Sequence, residues 1–215
     1  MKTDDFAHVT DWVFDLDNTL YPPSARLFEQ IEVRMTAFVM TSLGVDRPEA
    51  DRLRRHYWLR YGTTLAGLMR EHGVDPGPYL TEVHEISFAT LTPDPALRAG
   101  IAELPGRRFV FTNGSSPYAE KVLAARGLTG LFDGVYGVEH ADFHPKPDAA
   151  AYAAVFARAG LAPRRAAMFE DDPRNLAVPF DLGMCTVHVA EAAVEAPHIQ
   201  HHTSDLAGFL ARLGR

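Results

Sequence analysis

One cysteine in 215 residues rules out an internal disulfide, and a reducing compartment suits a chain with so little cysteine. That residue, Cys185, lies in an apolar run and reads as a small buried hydrophobe. Basic runs are missing too: 21 Lys and Arg stand against 28 Asp and Glu, a formal charge of −7. Grip on a nucleic-acid backbone needs the opposite balance, so no nucleic-acid partner is expected. Nor does a long apolar segment follow Met1-Lys2-Thr3-Asp4-Asp5. Neither a signal peptide nor a membrane span is therefore expected, and the cytoplasm is the expected location. What remains is an ordinary soluble composition, 47% apolar and 23% charged. The length suits one large or two small domains with a substantial core.

What is present converges on Asp15-Leu16-Asp17-Asn18-Thr19-Leu20-Tyr21-Pro22. Ahead of it Asp11-Trp12-Val13-Phe14 is apolar and β-prone, a buried strand. The strand thus ends in two carboxylates one residue apart, which repel unless a cation or proton lies between them. Alone, the pair equally suits a polar strand exit with Asn18-Thr19 as its turn.

After Pro22-Pro23 the texture turns helical. Ser24 is placed to cap a helix with Leu27, Phe28, Ile31, Met35, Phe38 and Val39 at helical spacing, ending near Gly44. Asp46 and Glu49 form a capping-box pattern for a second helix that stops at Gly62. A third covers Leu65 to His72, and a fourth follows Asp75-Pro76. From Pro93 the pattern alternates instead. Strands are expected at 108–111, 135–138, 166–169 and 184–189. Helices are expected from Asp94 to Leu104, from a Ser116 cap to Arg126, from Asp148 to Ala159, from Arg174 to Leu182 with a kink at Pro179, and from Ser204 to Leu213.

Alternating strands and helices predict an α/β fold whose parallel sheet is covered on both faces. Ligands bind such sheets outside the carboxyl ends of the strands. The polar clusters fall there: Asp15 and Asp17, then Thr112-Asn113-Gly114, then Glu170-Asp171-Asp172, with Lys146 in a loop near the same edge. Several acid oxygens make a hard site suited to Mg²⁺. Lys146 would screen a phosphate dianion, Thr112 would hydrogen-bond it, and the helix start beyond Asn113-Gly114 offers anion-binding N–H groups. One carboxylate can then act as nucleophile and a second as general acid and base.

At these residues the chain resembles the haloacid dehalogenase-like (HAD) phosphatases. Asp15-Leu16-Asp17-Asn18-Thr19-Leu20 is similar to their first motif, Thr112-Asn113 to the second, Lys146-Pro147 to the third and Glu170-Asp171-Asp172 to the fourth. The resemblance implies a doubly wound, mostly parallel Rossmann-like core, residues 1–21 and 93–215, with an all-helical C1-type cap inserted at 22–92. It makes Asp15 the nucleophile and a metal ligand. Asp17 becomes the general acid/base and a metal ligand through its carbonyl. Thr112, Asn113, Gly114 and Lys146 would hold the phosphoryl group, and Lys146 would also orient Asp15. Asp171 is the implied motif-four metal ligand, Glu170 its competitor, and Asp172 and Asn175 would hold metal-bound waters. Tyr21-Pro22, the Tyr61-Gly62-Thr63-Thr64-Leu65 loop and Phe169-Glu170-Asp171-Asp172-Pro173-Arg174-Asn175-Leu176 resemble pyrimidine 5′-nucleotidases. That implies UMP, CMP or a related nucleoside monophosphate, met from the lid side by Tyr21, Tyr61, Thr63 and Thr64, although turn and capping duties explain these four as well.

The alternatives are a phosphatase or phosphomutase for another small phosphorylated metabolite, such as a sugar phosphate or phosphoglycolate, and a 2-haloacid dehalogenase. A departing halide needs no proton, so Asp17 counts against the last. A non-catalytic binding module would not need all of Asp15, Asp17, Thr112, Lys146 and Asp171. His198, His201 and His202 read as surface or packing residues, since no acid or Cys spacing supports a transition-metal site. His140 and His144 are placed to line the site. Arg52, Arg54, Arg55 and Arg60 suit either anion attraction or a solvated helix face.

Overall fold

The computed structural model describes residues 3–213. Its sheet holds β1 (Asp11–Phe14), β2 (Arg107–Phe111), β3 (Gly134–Tyr136), β4 (Ala166–Glu170), β5 (Cys185–Val189) and β6 (His201–Thr203). The order is β3-β2-β1-β4-β5-β6, and every neighbouring pair is parallel. Side chains alternate between two apolar layers, as strand geometry requires. Trp12, Phe14, Val110, Phe169 and Val187 enter one, and Val13, Phe109, Phe111 and Met168 enter the other. The edge strand β6 has no counterpart in the sequence reading. His201-His202-Thr203 carries no apolar run and spans only three residues, so its β character comes from pairing with Val187–Val189.

Between β1 and the next strand stand four helices of the cap: α1 (Leu27–Leu43), α2 (Arg47–Tyr61), α3 (Thr64–His72) and α4 (Pro76–Val83). Their ends follow local chemistry. Gly44 closes α1 in the left-handed conformation, φ 65°. The Asp46 carboxylate accepts the Glu49 N–H at 3.0 Å, Thr63 Oγ1 accepts the Ala66 N–H at 3.2 Å, and Asp75 accepts the Gly77 N–H at 2.9 Å. Only half of the expected capping box forms, because Glu49 turns to the Arg52 guanidinium at 2.6 and 2.7 Å. Ser24 does not cap α1. It lies inside a 3₁₀ turn, Pro23–Ala25, and a left-handed Arg26 (φ 52°) precedes the helix. Helices α2 and α3 touch closely at Gly67, where a Cβ would lie 2.1 Å from Tyr57 Cγ.

The remaining helices clothe the sheet: α5 (Pro95–Ala102), α6 (Ser116–Ala125), α7 (Ala149–Ala159), α8 (Ala177–Asp181) and α9 (Leu206–Leu213). Buried residues of α5, α6 and α9 join the Trp12 layer, and those of α7 join the Val13 layer. The sheet is therefore doubly wound. Ser116 is the first residue of α6 rather than its cap. The Glu139 carboxylate takes its N–H at 2.8 Å and its hydroxyl at 2.6 Å. The helix expected over 174–182 is split into a 3₁₀ turn, Pro173–Leu176, and the short α8. Pro179 falls in the first turn of α8, where its missing N–H has no helical partner to lose. The buried Arg126 joins both chain crossings of the cap. It donates to Leu20 O at 3.0 Å before the insertion, and to Thr92 O and Asp94 Oδ2 (2.8 Å) after it.

Candidate active site

Strand β1 lies between β2 and β4, and its register pairs Phe14 with both Val110 and Phe169. The residues just beyond these three strands are forced together. Asp15 donates its backbone N–H to Phe169 O at 2.9 Å, which sets its side chain beside Glu170, the last residue of β4. Lys146 arrives from the loop before α7, and its Nζ donates to Asp15 Oδ1 (2.7 Å), Glu170 Oε2 (2.6 Å) and Phe111 O (2.9 Å). All three ammonium protons are engaged, and Asp15, Lys146 and Glu170 are buried.

Charge in this cluster is unbalanced. One oxygen each from Asp15, Glu170 and Asp171 falls within 4.8 Å of the others, against a single ammonium. Burial, then repulsion from Glu170, drives the Asp15 carboxyl well above its usual range despite Lys146. Burial also raises Glu170, against the pull of Lys146. Asp171 is pushed up to about 7 by burial and by Asp15. Burial alone would lower the Lys146 ammonium, but Asp15 and Glu170 outweigh it and raise its pKa. Asp15 Oδ2 is buried with no hydrogen-bond partner among the described residues. The donor set is all oxygen and over-acidic, with an orphaned carboxylate oxygen in it, and so fits a hard divalent cation. Asp15, Glu170 and Asp171 each bring one oxygen to that place, while the two Glu170 oxygens also accept from Lys146 and from the Asp172 N–H.

Asp17 sits apart from that cluster. Its Oδ1 accepts from Tyr21 Oη and from Tyr118 Oη, both at 2.6 Å, and its Oδ2 lies 3.5 Å from Thr112 Oγ1. Thr112 Oγ1 accepts the Gly114 N–H at 2.9 Å, which leaves the threonine proton free to be donated. The Gly114 amide is thereby engaged within the loop instead of facing an anion. Asn113 also has another duty. Its amide accepts the Lys146 N–H at 2.7 Å and donates to Lys146 O at 3.1 Å, so its side chain clasps the lysine loop.

Beyond β4, Asn18 Nδ2 donates to Asp171 Oδ2 at 3.3 Å. Asp172 pairs with the Arg174 guanidinium at 2.6 Å and accepts the Arg174 N–H. Against its burial, these bonds hold its carboxyl below the usual range. Its carboxylate is thus committed to Arg174. Asn175 is buried, and its Oδ1 has no partner among the described residues.

A cavity of about 660 Å³ opens over the cluster and is roofed by the cap, with Thr63 and Thr64 in its lining. Tyr21 and Tyr61 do not line it. Tyr21 is buried against Asp17, and Tyr61 Oη donates to Glu71 at 2.7 Å. Of the four arginines, Arg54 and Arg55 face the cavity, whereas Arg52 pairs with Glu49 and Arg60 lies over the Tyr61 ring. His140 Nδ1 accepts the Gly137 N–H, and His144 lies 3.3 Å from Asp148; neither lines the cavity. His198 and His202 bond to the carbonyls of Pro173 and Ala190, and His201 packs on Phe6 at 4.8 Å.

Two contacts reach across from the cap and were not read from the sequence. The Arg174 guanidinium lies 4.0 Å from the Trp58 ring centroid, a cation–π contact. The His84 ring stacks on Tyr118 at 4.2 Å and 9°, and its Nδ1 lies 3.1 Å from Ser115 Oγ. Each joins residues tens of positions apart, and only the fold of the cap over the sheet makes them neighbours.

Comparison with known proteins agrees with this geometry. Phosphate metabolism protein 8 of Saccharomyces cerevisiae is 27% identical over 195 residues, 83% of this chain and 61% of the yeast protein. The chain thus spans about three fifths of that relative. The HAD phosphatase of Thermococcus onnurineus superposes with a TM-score of 0.65 at 16% identity, covering 96% of this chain and 98% of that one. L-2-haloacid dehalogenase of Xanthobacter autotrophicus gives 0.59 at 18% identity, covering 94% and 97%. Identities this low show a shared fold and no more. The haloacid dehalogenase-like hydrolase family model matches residues 13–178, a span from β1 through β4 that contains all the clustered acids, and the chain belongs to that family.

Proposed function

We propose that this chain is a magnesium-dependent phosphomonoester hydrolase. It would work through an aspartyl-phosphate on Asp15 and act on pyrimidine nucleoside monophosphates such as UMP and CMP. The observation that carries this reading is the imbalance at the sheet edge: three clustered carboxylates, two of them buried, one ammonium and an unpartnered Asp15 oxygen. When bound there, Mg²⁺ would relieve the carboxylate repulsion and hold the phosphoryl group in line with its charge screened.

The chain's own residues supply the rest. Lys146 fixes the Asp15 carboxylate through Oδ1 at 2.7 Å. Thr112, with its oxygen already accepting from Gly114, donates its proton to a phosphoryl oxygen. Asp15 attacks phosphorus, the ester P–O bond breaks, and Asp17 protonates the departing oxygen. Asp17 then takes a proton from the water that attacks the aspartyl-phosphate, and phosphate leaves with Asp15 restored.

Size and lining favour a leaving group as large as a nucleoside. The cavity volume of about 660 Å³ lies within the range of small-molecule sites and exceeds what a two-carbon acid fills. Phe28, Ile31, Met35 and Trp58 give it apolar wall, and Thr63, Thr64 and Arg54 give polar points. Asp17 separates this reading from dehalogenation, because a departing halide has no use for its proton.

A screen of phosphomonoesters with free-phosphate detection tests the proposal. UMP and CMP should lead, EDTA should silence turnover, and Mg²⁺ should restore it. Asp15→Asn should release no phosphate while keeping the fold. A clear preference for purine nucleotides or sugar phosphates would remove the nucleotidase assignment and leave the phosphatase one. Turnover by Asp15→Asn would remove the nucleophile.

A further inference from the structure

We infer that Tyr21 and Tyr118 are positioning residues for Asp17, and that together they fix its transferable proton on Oδ2. The inference rests on the phosphoryl-transfer reading of the site. Both phenols are buried, and both hydroxyl oxygens lie 2.6 Å from one atom, Asp17 Oδ1. Each phenol has one proton, and each donates it to that carboxylate oxygen. The two phenol oxygens are 3.4 Å apart, close enough to share that acceptor. A carboxylate oxygen accepting two O–H bonds has no remaining place for a proton of its own. A proton carried by Asp17 therefore resides on Oδ2, the oxygen that faces Thr112 Oγ1 at 3.5 Å.

The two tyrosines are themselves held. Tyr21 follows Asp17 by four residues, where the chain leaves for the cap. Tyr118 projects from the first turn of α6 and is pinned face to face against His84 of the cap side at 4.2 Å. Neither lines the cavity, so whatever they do for the reaction passes through Asp17. As the Asp15 carboxylate bonds to phosphorus, the ester P–O bond breaks and its electrons stay on the ester oxygen. The Oδ2 proton goes to that oxygen. In the second half, water bonds to phosphorus, its proton returns to Oδ2, and the bond from phosphorus to Asp15 breaks.

The test uses leaving groups, with Mg²⁺ present throughout. UMP, or the best alkyl ester of the screen, leaves as an alkoxide that needs a proton. p-Nitrophenyl phosphate releases a stabilised anion that does not. Tyr21→Phe and Tyr118→Phe should each lower kcat/KM for the alkyl ester about tenfold, and that for p-nitrophenyl phosphate less than about twofold. In an Asp17→Asn background, adding Tyr118→Phe should change alkyl-ester hydrolysis no further, since both changes act through one carboxyl. Equal losses on the two esters, wild-type rates on both, or full additivity with Asp17→Asn would each overturn the inference while leaving the phosphatase reading intact. Wild-type protein that releases phosphate from no monoester removes that reading and this inference with it. Thermal melting reports folding, and should Tyr118→Phe not fold, Tyr21→Phe carries the comparison.

Discussion

At the scale of single residues, Lys146 is the contact on which the buried acids depend. Its Nζ bridges Asp15 and Glu170 at 2.7 and 2.6 Å with all three groups buried. Removing one partner of a buried ion pair strands the other, typically at about 3–5 kcal/mol. Lys146→Met should therefore melt well below wild type in Mg²⁺-free buffer at pH 8. The gap should narrow at pH 5, where the carboxyls take up protons. Wild type should show the linked effect. Asp171, at about 7 instead of 3.8, binds a proton in the folded state that the unfolded chain has already released between those values. Stability without metal should then fall as pH rises through that window. Mg²⁺ at about 100 times its Kd adds about 2.7 kcal/mol, roughly 5–10 °C in melting temperature for a chain of this size. That gain should be largest near pH 8 and shrink toward pH 5, where protons compete for the ligands. Calorimetry across pH with and without Mg²⁺ measures both. Most of this cluster was legible in the sequence, because Asp15, Thr112, Lys146 and Asp171 each follow a strand or loop in a recognisable order. The partners of Asn113, Asp172 and Tyr21 were not. Each is a polar group with several acceptors or donors in reach, and only the folded loop decides among them.

At the scale of elements, capping chemistry explains which boundaries could be read. Asp46, Thr63, Asp75, Asp94 and Asp148 each cap the helix that follows, their side chains accepting a backbone N–H, and each is visible as a polar residue before an apolar period. Ser24 and Ser116 are polar residues before an apolar period that do not cap the helix that follows, and β6 has no apolar run to mark it. Ser24 is taken up in a 3₁₀ turn, Ser116 is bonded by the Glu139 carboxylate, and β6 owes its conformation to a strand fourteen residues earlier. Contacts between elements follow size instead of pattern. Gly67 lies where α3 passes Tyr57 of α2, and an added methyl would meet the ring at 2.1 Å. Gly67→Ala should lower the denaturant midpoint by about 1–3 kcal/mol equivalent through overpacking, with an unchanged m-value marking a folded-state effect. Trp58 is different. Its ring is half exposed and covers Arg174, so Trp58→Ala should change stability by less than about 1 kcal/mol. Its effect should appear in KM more than in kcat, as expected if the pair helps keep the cap over bound substrate. Steady-state kinetics on the best substrate of the screen separates the two.

At the scale of the whole molecule, cap and core share one apolar cluster that runs from Phe6 and Trp12 through Tyr57 and Leu68 to Leu210. The sequence showed both halves but not that continuity, since period and composition report faces and not what they meet. Polar joints between the halves are few by comparison, and Arg126 is central among them. It is buried, and its loss would leave Leu20 O, Thr92 O and Asp94 Oδ2 without this donor. Arg126→Ala should cost about 2–4 kcal/mol, read as a lower urea midpoint, and should loosen the two crossings enough for limited proteolysis to cut near 20–22 or 90–94 before the core unfolds. Two of the three acceptors on this arginine are main-chain oxygens, which every amino acid possesses. This polar anchor, unlike the apolar cluster, therefore asks almost nothing of the lid's own sequence. A foreign helical insert stitched between the same two points, with a matching apolar face, would find this anchor waiting, and the chamber's upper wall could change while the acids and the lysine below stay as they are.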